Sequence, residues 1–256
     1  MDLLGDVAIL EVPVDLWGYR QVVGAALLAF NPAVKTVLAK TGPVDGMYRV
    51  RTYEVIAGVH TTETVYREHG CTFHLDPAIV YFSPRLSTER WRVARQVRRG
   101  EAVVDMFTGV GAFAIQIAKK VDAVKVHAID LNPDAVRFLK TNIAVNHVEG
   151  RVLPLLGDAG RVVGAGHLRH VADRVIMNLP ERSEDFVSAA CEAIKPDGGI
   201  IHFYSFERDP EPLRTVETRF RRAVNSLRDT VEVRAARLVR PTAPHRWQVA
   251  LDAYLC

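Results

Sequence analysis

The chain has 256 residues, 48% apolar and 25% charged, which gives material for a sizeable core and excludes a disordered polyelectrolyte. Its formal net charge of +3 does not announce a nucleic-acid partner, so any such partner has to be read from local charge. Cys71, Cys191 and Cys256 have neither metal-ligand spacing nor a disulfide pattern, no apolar run could span a bilayer and no signal peptide is visible; no metal, no membrane contact and a cytoplasmic location are expected.

The first third predicts short strands around one helix: strands over Val7–Val12, Val34–Ala39, Tyr48–Ala57, Thr62–Tyr66 and Cys71–Leu75, and a helix over Gln21–Phe30. The style changes at Pro84. A helix over Thr88–Val97, capped by Ser87 or Thr88, carries half of an arginine run: Arg85, Arg90, Arg92, Arg95, Arg98 and Arg99, with Glu89 the only acid. Such a run reads as a solvated face or as a surface for phosphate. Strands over Ala102–Met106, Ala123–Ile129, Val152–Leu156, Arg174–Met177 and Ile200–Tyr204 then alternate with helices over Ala112–Val121, Pro133–Val145, Glu184–Ile194 and Glu211–Leu227. That rhythm predicts βαβ units and a mostly parallel sheet covered on both faces. Val231–Leu238 and Trp247–Leu255 follow as a hairpin at the sheet edge. The domain division expected is a small α+β module over 1–84 and an α/β domain over 85–256.

The strand ending Val103-Val104-Asp105 runs into Met106-Phe107-Thr108-Gly109-Val110-Gly111-Ala112, a Gly-rich turn that opens a helix. Glycines let a ligand approach the backbone, and ligands of open α/β sheets bind beyond the carboxyl ends of the strands. The third glycine of the dinucleotide fingerprint is missing, and a carboxylate just before the turn would repel a pyrophosphate. It suits a ligand with an amino group, such as the methionine part of S-adenosylmethionine. The second strand ends at Asp130-Leu131, where an acid can hold ribose hydroxyls, and the third at Asp158-Ala159, where one can take an adenine amino group. Singly, each acid is an ordinary turn or cap residue; three at successive strand ends form a pattern. The candidate cofactor residues are Asp105, Phe107, Thr108, Gly109, Gly111, Asp130, Leu131, Asp158, Ala159 and Asn178. The fourth strand ends Asn178-Leu179-Pro180, which resembles the Asn-Pro-Pro type motif of methyltransferases acting on ring or exocyclic nitrogens. An Asn amide beside a backbone carbonyl can hold the polar edge of a flat base.

Four segments together, Gly46-Met47-Tyr48-Arg49-Val50-Arg51, Tyr81-Phe82-Ser83-Pro84-Arg85-Leu86-Ser87-Thr88-Glu89-Arg90, Val104 to Gly111 and Met177-Asn178-Leu179-Pro180, resemble the archaeal and eukaryotic tRNA (guanine-37 N1) methyltransferases. The resemblance covers almost the whole chain. It implies a Rossmann-type class I methyltransferase domain with a mostly parallel seven-stranded sheet, preceded by a small RNA-contacting module. It implies S-adenosylmethionine as cofactor, the tRNA anticodon stem-loop as partner and methyl transfer to N1 of the guanine 3′ of the anticodon; a monomer is expected. By the same resemblance Glu89 is the general base, Arg49 faces O6, Asn178 and Pro180 position the base, Tyr81 and Arg85 shape the pocket and contact RNA, and Arg90 contacts phosphate. Met1-Asp2-Leu3-Leu4-Gly5-Asp6-Val7-Ala8 resembles the start of the family's second module, so the additional N-terminal domain of many members is expected to be absent. Phe-Thr-Gly-Val-Gly-Ala also departs from the family's usual Ala before and Pro after the glycines. Three alternatives stay open: a wybutosine-pathway enzyme moving an aminocarboxypropyl group onto a tricyclic guanine, a carbon methyltransferase on that tricyclic base, and a non-catalytic RNA-binding module.

Overall fold

The computed structural model describes residues 1–228 and 230–256. The N-terminal part is a four-stranded sheet in the order β1 (Asp2–Leu4), β2 (Val7–Leu10), β3 (Thr36–Asp45), β4 (Val50–Gly58). Helix α1 (Arg20–Phe30) makes the crossover between the parallel strands β2 and β3. Its own small core is Ala8, Val34, Val37, Ala39 and Ile56. Strand β1 has three residues and a 3-10 turn covers Val14–Tyr19; both are too short to show a period, and the sequence pattern missed them.

A hairpin of β5 (Thr64–Glu68) and β6 (Cys71–Leu75) pairs with neither large sheet. Its free edge is taken up by two asparagines of the helix α4 (Pro133–Asn146). Asn146 accepts from the Thr72 N–H at 2.8 Å and donates to its carbonyl at 2.6 Å; Asn142 does the same for His74 at 2.7 and 3.1 Å. Two side-chain amides one helical turn apart thus serve as a third strand. The hairpin's Phe73 and Leu75 belong to the same apolar cluster as the helices of the large sheet.

The seven-stranded sheet has the order β12 (Val231–Ala243), β13 (Arg246–Leu255), β11 (Gly199–Arg208), β10 (Arg174–Met177), β7 (Ala102–Asp105), β8 (Lys125–Asp130), β9 (Val152–Leu156). Strands β7 to β11 run parallel, and β13 inserts antiparallel between β11 and the edge strand β12. One face is covered by α2 (Ser87–Ala94), α3 (Ala112–Lys120) and α4, the other by α5 (Ala159–Gly164), α6 (Val187–Ala193) and α7 (Pro212–Val224). Strand order reverses between β7 and β10, so a crevice opens beyond their carboxyl ends. This is the expected mostly parallel α/β sheet with its terminal hairpin.

Two expectations need correction, and one helix is added. No side chain caps α2: the 3-10 turn Pro84–Leu86 runs straight into it, Leu86 holds the cap position, and the Ser87 hydroxyl meets His69 Nε2 at 3.0 Å instead. The helix expected over Glu184–Ile194 begins as a 3-10 turn, Ser183–Phe186, before α6. Helix α5 was not expected, because six residues containing two glycines carry no helical period. No helix among the described residues is long and apolar enough to cross a membrane.

Candidate active site

Beyond the ends of β7 to β10 lies a cavity of roughly 1160 Å³, its open mouth included. The Gly-rich turn forms its floor. Gly111, at φ +93°, precedes α3, and a Cβ there would stand 2.4 Å from Leu139 Cδ1, so only glycine fits without displacement. Phe107 meets Phe186 edge-on with ring centroids 4.9 Å apart, and both line the cavity.

The three strand-end acids differ in environment. Asp105 is fully buried and sits behind the lining, which is formed by its neighbours Met106 to Val110. Neither of its carboxylate oxygens has a hydrogen-bond partner among the described residues. Burial pushes its pKa up to about 7, and Asp130 adds to the rise; the Thr108 hydroxyl and the Phe107 N–H moderate it without completing a hydrogen bond to it. Asp130 lines the cavity and accepts from the N–H groups of Gly109 at 2.7 Å and Asn132 at 2.9 Å, while burial raises its pKa too. Asp158 lines the cavity and caps α5, accepting from the Arg161 N–H at 3.0 Å. Thr108, Gly109, Leu131 and Ala159 complete this half.

These residues fit S-adenosylmethionine. A buried carboxylate without a partner is costly unless a cation meets it, and the ligand's amino group is such a cation. Asp130, fixed by two backbone donors, retains lone pairs for ribose hydroxyls. The two aromatic rings and Leu131 offer flat apolar walls for an adenine.

The other half of the cavity joins the N-terminal module to the loop after β10. Arg49 stands at φ +56° at the end of a tight turn, an uncommon conformation for a side-chain-bearing residue. Its guanidinium pairs with Glu181 at 2.9 Å and lies over the Tyr81 ring, 5.2 Å from its centroid. Asn178, Leu179 and Pro180 line the same wall. Their loop is held by the buried Ser183 hydroxyl, 3.0 Å from the Met177 carbonyl and 2.9 Å from that of Leu179. Asn178 Oδ1 accepts from Gln248 at 3.2 Å.

The arginine run is divided. Arg85 is 52% exposed, pairs with Asp2 at 2.7 Å and lines an adjoining cleft with Arg49, Arg51, Arg240 and Arg246. Arg90 reaches the inner cavity wall, but its side chain is 3% exposed and forks onto Glu68 at 2.5 and 2.7 Å, which leaves it inside rather than on the surface expected for phosphate contact. Arg92 is internal as well. It donates twice to Glu89, at 2.9 and 2.7 Å, and also binds Asp252. Glu89 does not line the cavity; besides Arg92 it accepts from the Tyr204 hydroxyl at 2.7 Å. Tyr204 in turn packs against Phe113, which does line it, with centroids 6.1 Å apart. The structure therefore gathers Arg49, Tyr81, Asn178, Pro180, Phe107, Thr108, Gly109, Asp130, Leu131, Asp158 and Ala159 around one cavity and sets Asp105, Gly111 and Glu89 outside its lining. Glu68, Tyr204, Arg240, Gln248 and Asp252 were missed, since each acquires its role from a partner distant in sequence or on the neighbouring strand, and Ser183 was missed because a serine in a loop carries no signal of the two carbonyls it ties.

A reversed parallel sheet with acids at successive strand ends, a glycine turn and an Asn-Leu-Pro loop facing them defines a class I methyltransferase. Residues 64–233 match the TRM5/TYW2 methyltransferase domain and residues 2–62 the TYW2 N-terminal domain. The chain belongs to the TRM5/TYW2 family of S-adenosylmethionine-dependent methyltransferases. It is 41% identical over 251 residues to the tRNA (guanine(37)-N(1))-methyltransferase Trm5b of Pyrococcus abyssi, covering 98% of this chain and 73% of that relative. It is 34% identical over 256 residues to the tRNA 4-demethylwyosine(37)-methyltransferase Taw21 of Saccharolobus solfataricus, covering 98% and 92%. Among solved structures, a complex of aTrm5 with tRNALeu superposes with TM-score 0.86 at 34% identity, over 100% of this chain and 71% of that one. TYW2 of P. horikoshii with MeSAdo superposes with TM-score 0.84 at 31% identity, over 98% and 89%.

Proposed function

We propose that this chain methylates N1 of the guanine 3′ of the anticodon in tRNA. The observation that carries the reading is the meeting of Arg49, Tyr81 and the Asn178-Leu179-Pro180 loop with Asp130 and Asp158 around one cavity. Similarity to Trm5b and to the tRNA-bound aTrm5 supports tRNA as substrate.

Asp130 and Asp158 on the cavity wall, with Asp105 behind it as counter-charge, would hold S-adenosylmethionine, which when bound would supply an electrophilic methyl group on a good leaving group. The protein has to expose a nucleophile and hold it in line. N1 of guanine carries a proton at neutral pH, and its removal drives negative charge onto O6. Arg49, at the mouth, is the donor for O6. Asn178 holds the base edge, with Pro180 closing the turn behind it. Glu89 takes the N1 proton on the strength of the family resemblance; to reach it, the carboxylate exchanges its Tyr204 contact for the lactam N–H. Residues 1–84, with Arg85, form the RNA-contacting side, and the cleft of Arg49, Arg51, Arg85, Arg240 and Arg246 is its route for the anticodon stem-loop.

The test is mass spectrometry of tRNA nucleosides after incubation with labelled cofactor. A one-methyl gain on guanosine at N1 is expected. Glu89→Gln should slow single-turnover transfer at least about a hundredfold with cofactor affinity kept; an unchanged rate removes Glu89 from the base role. A second reading, transfer to a tricyclic guanine derivative, is favoured by the match of residues 2–62 to the TYW2 N-terminal domain and by the Taw21 relative. A gain of an aminocarboxypropyl group, or of methyl on the tricyclic base alone, would establish that reading instead.

A further inference from the structure

Arg240 and Gln248 face each other across the terminal hairpin, Arg240 on β12 and Gln248 on β13. Arg240 Nε donates to Gln248 Oε1 at 2.8 Å, and Gln248 Nε2 donates to Asn178 Oδ1 at 3.2 Å. Amide oxygens and nitrogens look alike in outline, but here chemistry assigns them. A guanidinium has no lone pair to accept with, so the glutamine atom facing Arg240 must be its oxygen. The atom facing Asn178 is then the glutamine nitrogen, which can only donate. The asparagine must answer with its oxygen, and its Nδ2 is the end left for the cavity, forming no hydrogen bond to the described residues. Gln248 is 1% exposed, so solvent cannot compensate a flip of its amide.

We propose that Arg240 and Gln248 are positioning residues that fix the polarity of Asn178, turning its N–H donors toward the substrate and making the site selective for a base edge that presents an acceptor. A lactam oxygen that gains charge as the ring N–H is lost is such an edge. An exocyclic amine, which offers N–H groups where an acceptor would be needed, is disfavoured as methyl acceptor. The inference deepens the guanine N1 reading and rests on it for the identity of the lactam.

The test is Gln248→Glu. The carboxylate still accepts from Arg240 but offers no N–H, so the Asn178 amide turns its nitrogen to Glu and its oxygen to the substrate. We expect kcat to fall roughly a hundredfold, the effect of losing one donor aimed at developing charge, with KM for tRNA, cofactor affinity and melting temperature unchanged. In an Asn178→Ala background the same substitution should cause no further loss, because the relay then has nothing to orient. Arg240→Leu, which removes the polarity-setting donor but leaves the amides, should lower kcat less, by about tenfold. Wild-type kcat in Gln248→Glu, or an equal loss with and without Asn178, overturns the proposal. If Gln248→Glu does not fold, Arg240→Leu decides in the same cycle with Asn178→Ala. The two readings fail separately: a wild-type product other than N1-methylguanosine sinks the reaction assignment, whereas that product together with an additive cycle sinks the relay alone.

Discussion

Asp105 offers the most quantitative test of the cofactor site. Its carboxyl is fully buried with no hydrogen-bond partner among the described residues, and burial pushes its pKa to about 7. Unfolded, the same group releases its proton near the ordinary value of 3.8. Between those two values the unfolded chain binds fewer protons than the folded one, so stability falls as pH rises and is lowest above pH of about 7. At about 1.4 kcal/mol per unit, the full penalty is about 4 kcal/mol, of which less than half has accumulated by about pH 5. Asp105→Asn keeps the shape and removes the titration. The amide carries its own desolvation cost, but that cost does not change with pH. The stability of the variant relative to wild type should therefore rise by about 2–3 kcal/mol between about pH 5 and about pH 8.5. Urea denaturation of the ligand-free protein at both pH values measures this. The variant should also bind S-adenosylmethionine more weakly, since the ammonium loses its counter-charge. A wild-type-to-variant gap that is the same at both pH values would refute the claim that Asp105 is an unpartnered, destabilising carboxylate awaiting a cation.

Two further perturbations address neighbouring groups. Asp130→Ala should weaken cofactor binding in calorimetry, both by removing the ribose acceptor and by freeing the Gly109 and Asn132 N–H groups it fixes; unaltered affinity refutes the ribose assignment. Glu68→Ala leaves the buried Arg90 guanidinium without its carboxylate and should destabilise the fold by about 3–5 kcal/mol in chemical denaturation; a loss below about 1 kcal/mol would mean that solvent reaches Arg90.

The sheet was legible because its signals are local. Apolar strands, each closed by an acid or a turn, alternate with amphipathic helices, and that rhythm fixes the parallel core. The three strand-end acids were legible for the same reason. The arginine run shows where local reading stops. Arg90 and Arg92 look like members of a solvated stripe until Glu68, 22 residues back, and Asp252, 160 residues on, are brought against them. Charge composition cannot distinguish a surface arginine from one folded onto a distant carboxylate. Gln248 carried no signal at all, because its meaning depends on which strand β13 lies beside. Short elements such as β1 and α5 escaped because fewer than two turns or two alternations define no period.

Strand β13 ties both halves of the proposed chemistry to one register. Gln248 pairs with Phe206 and Asp252 with His202 on β11, and residues four apart on a strand share a face. Gln248 orients Asn178. Asp252 holds Arg92, and Arg92 holds Glu89. Asp252 is itself fixed by the buried His202, whose Nε2 lies 2.8 Å from Arg174 Nη1. Because that arginine can only donate, the histidine must accept there and donate from Nδ1 to Asp252, at 2.6 Å. Burial, the dominant influence on His202, lowers its pKa in keeping with this neutral form. Burial alone would raise the Asp252 pKa, but the bonds from His202 and Arg92 outweigh it and keep the carboxyl ionised far below its usual range. A slip of β13 by one residue would turn Gln248 and Asp252 together to the opposite face, freeing Asn178 from Gln248 and the Glu89 partner Arg92 from Asp252 at once. An antiparallel strand wedged into a parallel sheet is therefore the element on which the relative placement of base-holding amide and carboxylate depends, although neither group lies on it.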